Sequence, residues 1–247
     1  MFGIGDRVYT LIKQNKRNRE IDVDWKPEIS LCGENNTDWF CFVPPNVARC
    51  FILRNGLIPK SGNIFLYKIY SLNLIKECPE DTLDRLQEIY HDSIKRMRGS
   101  LDRNHTINLL GISLGNVLTI RAAGDIESKI EKIVSIAGGG KLGLSAWDSI
   151  LTSDIVKRSG CSSVEEYEER LSTFSPVNYI DKIFTKEIVI RLGTRDLLIP
   201  YKHGQELANS FIKRAKETNS KIDYKVYAGA DHSATLLLSA LSNLVRE

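Results

Sequence analysis

Residues 106–123 read TINLLGISLGNVLTIRAA, and this stretch decides how the rest of the chain is interpreted. It begins with strand-forming side chains and ends with a pattern typical of a helix. Between the two, residues 111–115 fit the pattern G-x-S-x-G, with Ser113 at its centre. The pattern predicts a sharp strand-to-helix turn, in which Gly111 and Gly115 leave room for a serine with a strained backbone. A plain glycine-flanked turn is the alternative interpretation.

The surrounding chain alternates short apolar runs with longer amphipathic stretches. This alternation is typical of βαβ units, and it predicts an α/β fold with a mainly parallel central sheet and helices on both faces. The predicted strands cover residues 39–43, 64–70, 106–110, 130–137, 188–192 and 222–227, and the predicted helices cover residues 81–98, 114–123, 201–218 and 234–245.

Residues 141–179 interrupt this alternation. Two helical stretches, 145–158 and 163–171, follow one another there without a strand between them, which predicts an insertion over the sheet. The first 36 residues show no clear pattern, and we expect a helix and one or two edge strands. The 247 residues are predicted to form a single domain that includes the insertion.

A serine hydroxyl is a weak nucleophile at neutral pH unless a base accepts its proton. The chain has four histidines. Only His232 lies in a loop directly after a predicted strand, and sites form where the carboxyl ends of parallel strands meet. We therefore expect His232 to be the base. His203 is a candidate for the rim of the site, whereas His91 and His105 are expected to be surface or packing residues.

Such a base needs a carboxylate that holds its ring in the correct tautomer. Asp196 comes soon after the predicted strand 188–192, which places it at the same edge of the sheet as His232. Asp231 is the direct neighbour of His232 in the sequence, so its side chain is expected to point elsewhere. The candidate residues occur in the order Ser113, Asp196, His232.

On these residues the chain resembles the α/β-hydrolase superfamily. The resemblance rests on the turn at Ser113, on the Gly-x-x-Asp-x-x-x-Pro stretch of residues 193–200, and on the Gly-x-x-His stretch of residues 229–232. It extends from Asp38 to the C-terminus. The resemblance implies a serine hydrolase in which the three candidates form a catalytic triad. It also makes residues 141–179 a small helical lid after the sixth strand of that fold.

The oxyanion hole departs from the pattern of many lipases and esterases of this superfamily. These enzymes often carry His-Gly residues after the third strand, where this chain has Pro44-Pro45. Proline has no N–H to donate. The first donor is expected to be the amide of Leu114, and the second the amide of Asn46, with Val47 as the alternative.

The insertion supplies the candidate substrate contacts, Leu142 and Trp147, which lie near the apolar residues Leu144, Ile150 and Leu151. These side chains either line an acyl pocket under the insertion or pack it onto the core. The sequence leaves both interpretations open.

The composition excludes several other classes of protein. With 42% apolar and 26% charged residues, the chain matches ordinary globular proteins rather than disordered ones. No run approaches the ~18 apolar residues of a membrane span, and the first residues have no apolar signal core. A net charge of +3 is small for a nucleic-acid binder. We expect a soluble, cytoplasmic protein with no membrane span and no nucleic-acid partner.

Two smaller features complete the expectations. The basic cluster of residues 13–19 is interpreted as a solvated helix end, with a partner or anionic-surface site as the alternative. The five cysteines lack metal-binding spacing and are expected to be reduced thiols. Cys161 precedes a helix start that the capping pair Ser163 and Glu166 predicts. The sequence contains no complete nucleotide-binding motif and no cluster of histidines and carboxylates, so neither a cofactor nor a metal is expected.

Together these patterns predict a serine esterase or thioesterase that acts on a small-molecule acyl substrate through an acyl-enzyme intermediate. C–C or amide cleavage and acyl transfer use the same triad and remain alternatives. A non-catalytic hydrolase-like protein that binds a ligand or partner is the third interpretation. The oligomeric state is not predicted.

Overall fold

A computed structural model of the chain describes residues 27–30, 36–45, 62–69, 74–126 and 130–244. Its strands are β1 (Glu28–Ser30), β2 (Thr37–Val43), β3 (Asn63–Lys68), β4 (Thr106–Ile112), β5 (Ile130–Ile136), β6 (Thr185–Gly193) and β7 (Lys221–Tyr227). Its helices are α1 (Pro79–Asp102), α2 (Gly115–Asp125), α3 (Leu142–Asp148), α4 (Ser153–Val156), α5 (Val164–Leu171), α6 (Tyr201–Thr218) and α7 (His232–Leu244).

In this described part of the chain the strands form one sheet of seven, in the order β1-β3-β2-β4-β5-β6-β7. Strand β1 pairs antiparallel with β3, and every other pair of neighbours is parallel. The carboxyl ends of β2 to β7 therefore lie along one edge of the sheet. The predicted α/β fold with a mainly parallel sheet is confirmed.

The central strands are buried because each face of the sheet is covered by helices. Helices α1, α2 and α6 pack on one face through the larger apolar cluster, to which α1 contributes the predicted stripe of Leu86, Ile89, Tyr90, Ile94 and Met97. Helix α7 covers the other face, where its Leu236 and Ala240 belong to a second cluster with apolar side chains of β2, β4 and β5. The strand sequences contain continuous apolar runs rather than alternating apolar and polar residues, because both faces of these strands are buried.

Residues 141–179 lie between β5 and β6 and are mainly helical, as predicted, but the predicted single helix 145–158 is wrong. Helix α3 ends at Asp148, and Ser149 adopts an extended backbone. The next amide, that of Ile150, donates to the carbonyl of Leu197 at 3.1 Å instead of continuing the helix. A contact with the loop after β6 therefore divides the stretch into α3 and the short α4.

The predicted start of α5 is confirmed. Ser163 has an extended backbone, and its hydroxyl accepts a hydrogen bond from the amide of Glu166. Glu166 in turn accepts from the amide of Ser162 at 2.7 Å. This reciprocal arrangement satisfies amides that have no partner within the first turn of a helix.

Several residues with predicted roles lie outside the described ranges, so those predictions stay untested. The residues are the basic cluster 13–19, most of the first 36 residues, and Cys32 and Cys50. Among the described cysteines, Cys41, Cys78 and Cys161 are free. Burial raises the pKa of the Cys41 thiol, which fits its expected role as a packing residue. Within the same residues, every helix is too short or too polar to cross a bilayer.

Candidate active site

Ser113 follows β4 directly and has a left-handed backbone conformation, with φ of 56°. Such a conformation costs about 1–3 kcal/mol for a residue with a side chain, so it persists only where the surroundings enforce it. The amide of Ser113 donates to the carbonyl of Ile136 at 2.9 Å, which ties the turn to the end of the neighbouring strand β5. The serine thus lies at the carboxyl edge of the sheet, two residues before Gly115, the first residue of α2.

Both glycines of the G-x-S-x-G pattern are required by close packing. A Cβ on Gly115 would lie 2.0 Å from the carbonyl oxygen of Phe42 in β2. A Cβ on Gly111 would lie 2.8 Å from the Cα of Asn116 and 2.6 Å from the hydroxyl oxygen of Thr119. Because real Cβ atoms do not approach other atoms this closely, larger residues would separate the strand from the helix. The prediction that the two glycines leave room for the turn at Ser113 is confirmed.

Asp196 lies in the loop after β6 and is almost fully buried. Its Oδ1 accepts hydrogen bonds from the amides of Leu198 and Ile199, both at 2.9 Å. Its Oδ2 lies 2.7 Å from Nδ1 of His232. A carboxylate can only accept, so Nδ1 of the neutral imidazole carries the proton and Nε2 is left with a free lone pair. This is the tautomer that a general base needs.

His232 is the first residue of α7 and is also largely buried. Two hydrogen bonds join the loop before His232 to the loop of Asp196. The amide of Arg195 donates to the carbonyl of Ala230, and the amide of Gly229 donates to the hydroxyl of Thr194. Helix α7 then runs back over β6 and β5. His232 is therefore held at the same sheet edge as Ser113, although β7 lies three positions from β4.

A hydrogen bond joins the acid Asp196 to the base His232. Within the described residues, no hydrogen bond joins the Ser113 hydroxyl to His232. Catalytic hydrogen bonds of this kind are often long in unliganded sites and tighten when substrate binds. Asp231 points away from His232 as expected, because its Oδ1 accepts from the amide of Ala234 in the first turn of α7.

Of the two expected oxyanion donors, Leu114 lies within the described residues and Asn46 does not. Leu114 is the residue directly before α2, and its amide donates to no acceptor in the described part of the chain. Asn46 and its alternative Val47 lie outside the described residues, directly after Pro44 and Pro45.

The candidate substrate contacts of the insertion are packed into the protein. Leu142 is 2% exposed and belongs to the larger apolar cluster. Trp147 is partly buried against that cluster, and its ring lies 6.1 Å from the ring of Tyr167 in α5. Both placements are those expected of residues that pack the insertion onto the core. In contrast, Leu197, which follows Asp196 directly, and Ile150, whose amide donates to the Leu197 carbonyl, are 58% and 52% exposed.

The other histidines have partners of their own. The Nε2 of His203 lies 2.8 Å from Asp148 at the end of α3, and Lys202 contacts the same carboxylate. Burial raises the pKa of Asp148, but hydrogen bonds from Lys202 and His203 outweigh it and hold this pKa below its usual value. His105 lies 3.1 Å from the buried Asp38, as expected of a packing residue.

Within the described ranges, no three His, Cys, Asp or Glu side chains are grouped so that they could hold a metal ion. Sequence reasoning also missed one polar residue of the site, Asn116. Its side-chain amide is fully buried beside Ser113. The signal available in the sequence was an amide side chain in the first turn of an otherwise apolar helix.

Neither a protein-family model nor a curated protein matches the chain. Solved structures do match it. The acylaminoacyl peptidase of Pyrococcus horikoshii aligns with a TM-score of 0.59 and 16% identity, over 90% of this chain and 37% of the peptidase. A puromycin-hydrolyzing peptidase of Mycobacterium tuberculosis aligns with a TM-score of 0.53 and 13% identity, over 86% of this chain and 34% of that one.

A lipase-esterase related protein of Clostridium acetobutylicum is similar over almost its whole length. It aligns with a TM-score of 0.51 and 10% identity, over 90% of this chain and 98% of its own. The chain spans only about a third of the two peptidases but nearly all of this smaller protein. The parallel sheet, its strand order and these matches show that the chain has the α/β-hydrolase fold.

Proposed function

We propose that the protein is a serine hydrolase that cleaves an acyl bond through a covalent acyl-enzyme. The observation that carries this proposal is the 2.7 Å contact between Asp196 and His232, at the sheet edge where Ser113 occupies its left-handed turn. A buried carboxylate that fixes a buried imidazole is the arrangement that activates a serine hydroxyl.

In the proposed cycle, the Ser113 hydroxyl attacks the acyl carbonyl while Nε2 of His232 accepts its proton. Asp196 stabilises the resulting imidazolium. The tetrahedral intermediate collapses as His232 returns the proton to the leaving alcohol, thiol or amine. Water then enters, gives a proton to Nε2 of His232 and attacks the acyl carbonyl. As the second tetrahedral intermediate collapses, the bond to Ser113 breaks, His232 returns the proton to the Ser113 oxygen, and the acid is released.

The oxyanion of each tetrahedral intermediate requires hydrogen-bond donors. Within the described residues the Leu114 amide donates to no acceptor, which supports its role as the first donor, and the amide of Asn46 is proposed as the second. Loss of one such donor costs about 10²–10³ in rate. A backbone amide cannot be removed by truncating a side chain, but Asn46→Pro removes it and tests this assignment.

The proposed substrate is an ester or thioester with an apolar acyl group. The exposed pair Leu197 and Ile150 supports an apolar group, because the two residues are joined by a hydrogen bond and Leu197 follows Asp196 directly. Exposed apolar side chains of this kind, grouped beside a polar site, mark a surface that binds an apolar partner. Leu142 and Trp147 are proposed to support this surface from beneath.

Amide cleavage is the second candidate, and the two peptidases among the structural matches favour it. The same triad serves both reactions, so the difference lies in how well the site protonates and releases an amine. A panel of p-nitrophenyl esters, acyl thioesters and N-acyl-aminoacyl p-nitroanilides of matched acyl length separates the candidates. Esters or thioesters with the highest kcat/KM support the first proposal, and anilides with the highest kcat/KM overturn it in favour of the second.

A fluorophosphonate probe tests the shared mechanism. We expect covalent labelling of the native protein, with the mass increase located on Ser113 by peptide mass spectrometry. Ser113→Ala should abolish labelling and turnover while keeping the wild-type melting temperature. Heat-denatured protein provides the negative control. An unlabelled native protein, or labelling that survives Ser113→Ala, would overturn the proposal and favour the non-catalytic interpretation.

A further inference from the structure

Asn116 lies in the first turn of α2, and its side chain is fully buried. The side-chain nitrogen donates two hydrogen bonds, to the carbonyl of Ser113 at 3.0 Å and to the carbonyl of Ile136 at 3.1 Å. Both partners can only accept, so the orientation of the amide group is determined by its surroundings. One side chain thus joins the end of β4 to the end of β5.

The two carbonyls belong to two strained turns. Ser113 has φ of 56°, and Ala137, which directly follows Ile136, has φ of 49°. Both are residues with a side chain in the left-handed region, where such residues are uncommon. Asn116 therefore binds the backbone at the two points of the site where relaxation would relieve strain. The Ala137 turn also leads into the insertion.

Neighbouring glycines make room for this side chain. A Cβ on Gly138 would lie 2.5 Å from Cγ of Asn116, and a Cβ on Gly111 would lie 2.8 Å from its Oδ1. That Oδ1 is buried and has no hydrogen-bond partner in the described part of the chain. A buried acceptor without a partner lowers the stability of the fold. We infer that the two hydrogen bonds of the side-chain nitrogen offset this cost.

We propose that Asn116 is a positioning residue for the nucleophile: its amide holds the Ser113 turn against the end of β5 and so fixes the Ser113 hydroxyl relative to His232. The inference rests on the proposed function. Without the amide, the Ser113 carbonyl loses its side-chain donor and the turn relaxes toward a less strained backbone. Displacement of a reacting atom by about 1 Å can cost ~10²-fold in rate.

The test compares Asn116→Ala with the control Thr119→Val. Thr119 is equally buried in the same helix and packs beside Gly111, but its hydroxyl donates to Gly115 within α2 and not to either strained turn. We measure the rate constant of fluorophosphonate labelling at Ser113, kcat and KM for a p-nitrophenyl ester, and the melting temperature. All rates are taken well below the melting temperature of each variant.

We expect Asn116→Ala to lower the labelling rate and kcat by ~10–100-fold with KM changed less than about threefold. Thr119→Val should stay within about twofold of the wild type. Asn116→Asp should also be slow, because its carboxylate cannot donate. Its rate relative to the wild type should recover as the pH falls, because the protonated carboxyl regains one donor.

Three results would overturn the inference. The first is labelling of Asn116→Ala at the wild-type rate, and the second is a loss of labelling rate in Thr119→Val as large as in Asn116→Ala. The third is a rate of Asn116→Asp, relative to the wild type, that does not change with pH. If Asn116→Ala does not fold, Asn116→Leu, which has a similar shape but no hydrogen-bond donor, takes its place in the comparison. A wild-type protein that is not labelled at all overturns the proposed function itself, and this outcome is distinct from the other three.

Discussion

Asp196 uses its two carboxylate oxygens for different purposes. Oδ1 accepts hydrogen bonds from the amides of Leu198 and Ile199 and so stabilises the loop after β6. Oδ2 accepts the hydrogen bond from Nδ1 of His232 and orients its ring. In the proposed mechanism Asp196 therefore serves both the local fold and the chemistry, and a substitution that keeps the shape of the side chain separates the two contributions.

At this residue scale, we expect Asp196→Asn to lower kcat by about 10⁴-fold. The asparagine can still accept the loop amides, but its NH₂ group would then face Nδ1 of His232 and favour the wrong tautomer. The melting temperature should change by only a few degrees. Ester hydrolysis and thermal unfolding measure the two effects.

The matched control is Asp231→Asn, which changes the neighbouring acid in the same way. The Asp231 carboxylate accepts a hydrogen bond from the amide of Ala234, and within the described residues it forms none with the His232 imidazole. An asparagine preserves that bond, so activity should stay near the wild-type value. Equal losses in both variants would contradict the assignment of Asp196 as the orienting acid.

At the scale of elements, α2 is seated directly against β2. A Cβ on Gly115 would meet the carbonyl of Phe42, which is backbone and cannot move aside. We expect Gly115→Ala to lower the free energy of unfolding by about 1–3 kcal/mol or more, through overpacking. Urea denaturation measures it.

Gly99→Ala is the control for Gly115→Ala. Gly99 lies within α1, where a new Cβ would meet only the end of Arg103, at 3.9 Å. Alanine is the better helix former by roughly 0.5–1 kcal/mol, so this variant should be more stable than the wild type. A Gly115→Ala protein as stable as the wild type would show that α2 can shift away from β2.

A partly buried carboxylate, that of Glu168, joins three segments of the insertion. Glu168 in α5 accepts hydrogen bonds from the amides of Gly143 and Leu144 in the first turn of α3, and from the hydroxyl of Ser175. An acidic side chain from another helix thus caps α3. Burial raises the pKa of Glu168 above its usual value, although these hydrogen bonds oppose the shift.

This raised pKa predicts how stability depends on pH. The folded protein holds the proton of Glu168 at pH values where the unfolded chain has lost it, so protonation of this group favours folding. Its contribution is complete below the unfolded pKa, near 4.5, and is lost as the pH rises through the folded pKa. Glu168→Gln carries no such proton. Relative to this variant, the wild type should therefore become less stable as the pH rises from about 4 into the neutral range.

Urea unfolding of both proteins at several pH values measures this difference. Glu165→Gln removes the same charge from an exposed position on the same helix and serves as the control. We expect the wild type and Glu165→Gln to lose stability in parallel over this range. A constant difference between the wild type and Glu168→Gln at every pH would refute the assignment.

At the scale of the whole molecule, the insertion and the sheet share one core. Leu142, Tyr167 and Leu171 of the insertion belong to the same apolar cluster as the buried faces of α1 and α6. Tyr167 also donates to the carbonyl of Lys76, and Arg170 pairs with Glu80 at the start of α1. The insertion therefore has no separate hydrophobic core in the described part of the chain.

Because the core is shared, we expect residues 1–247 to unfold in a single cooperative transition. Scanning calorimetry should give equal calorimetric and van't Hoff enthalpies. Two resolved transitions, or an insertion that is cleaved by protease while the sheet stays folded, would contradict the prediction of a single domain.

The sequence by itself determined the architecture and the three candidate residues. Strand and helix patterns depend on neighbouring residues, so the listed strands and the four helices outside the insertion were predicted to within a few residues, whereas helix 145–158 was not. Parallel strands place their carboxyl ends on one edge, so Ser113, Asp196 and His232 were predicted to share that edge. The strand order, the contact between Asp196 and His232, and the burial of Leu142 depend on chain segments far apart in sequence.

Only the tertiary structure decided those features. The break between α3 and α4 arises because Ile150 bonds to Leu197, and the role of Asn116 arises because its amide reaches Ile136. Periodicity cannot reveal either contact, because hydrogen bonds between distant segments leave no repeating pattern in the residues that make them. A sequence records which side chains face a core, whereas the partner of each polar group is decided when the chain packs.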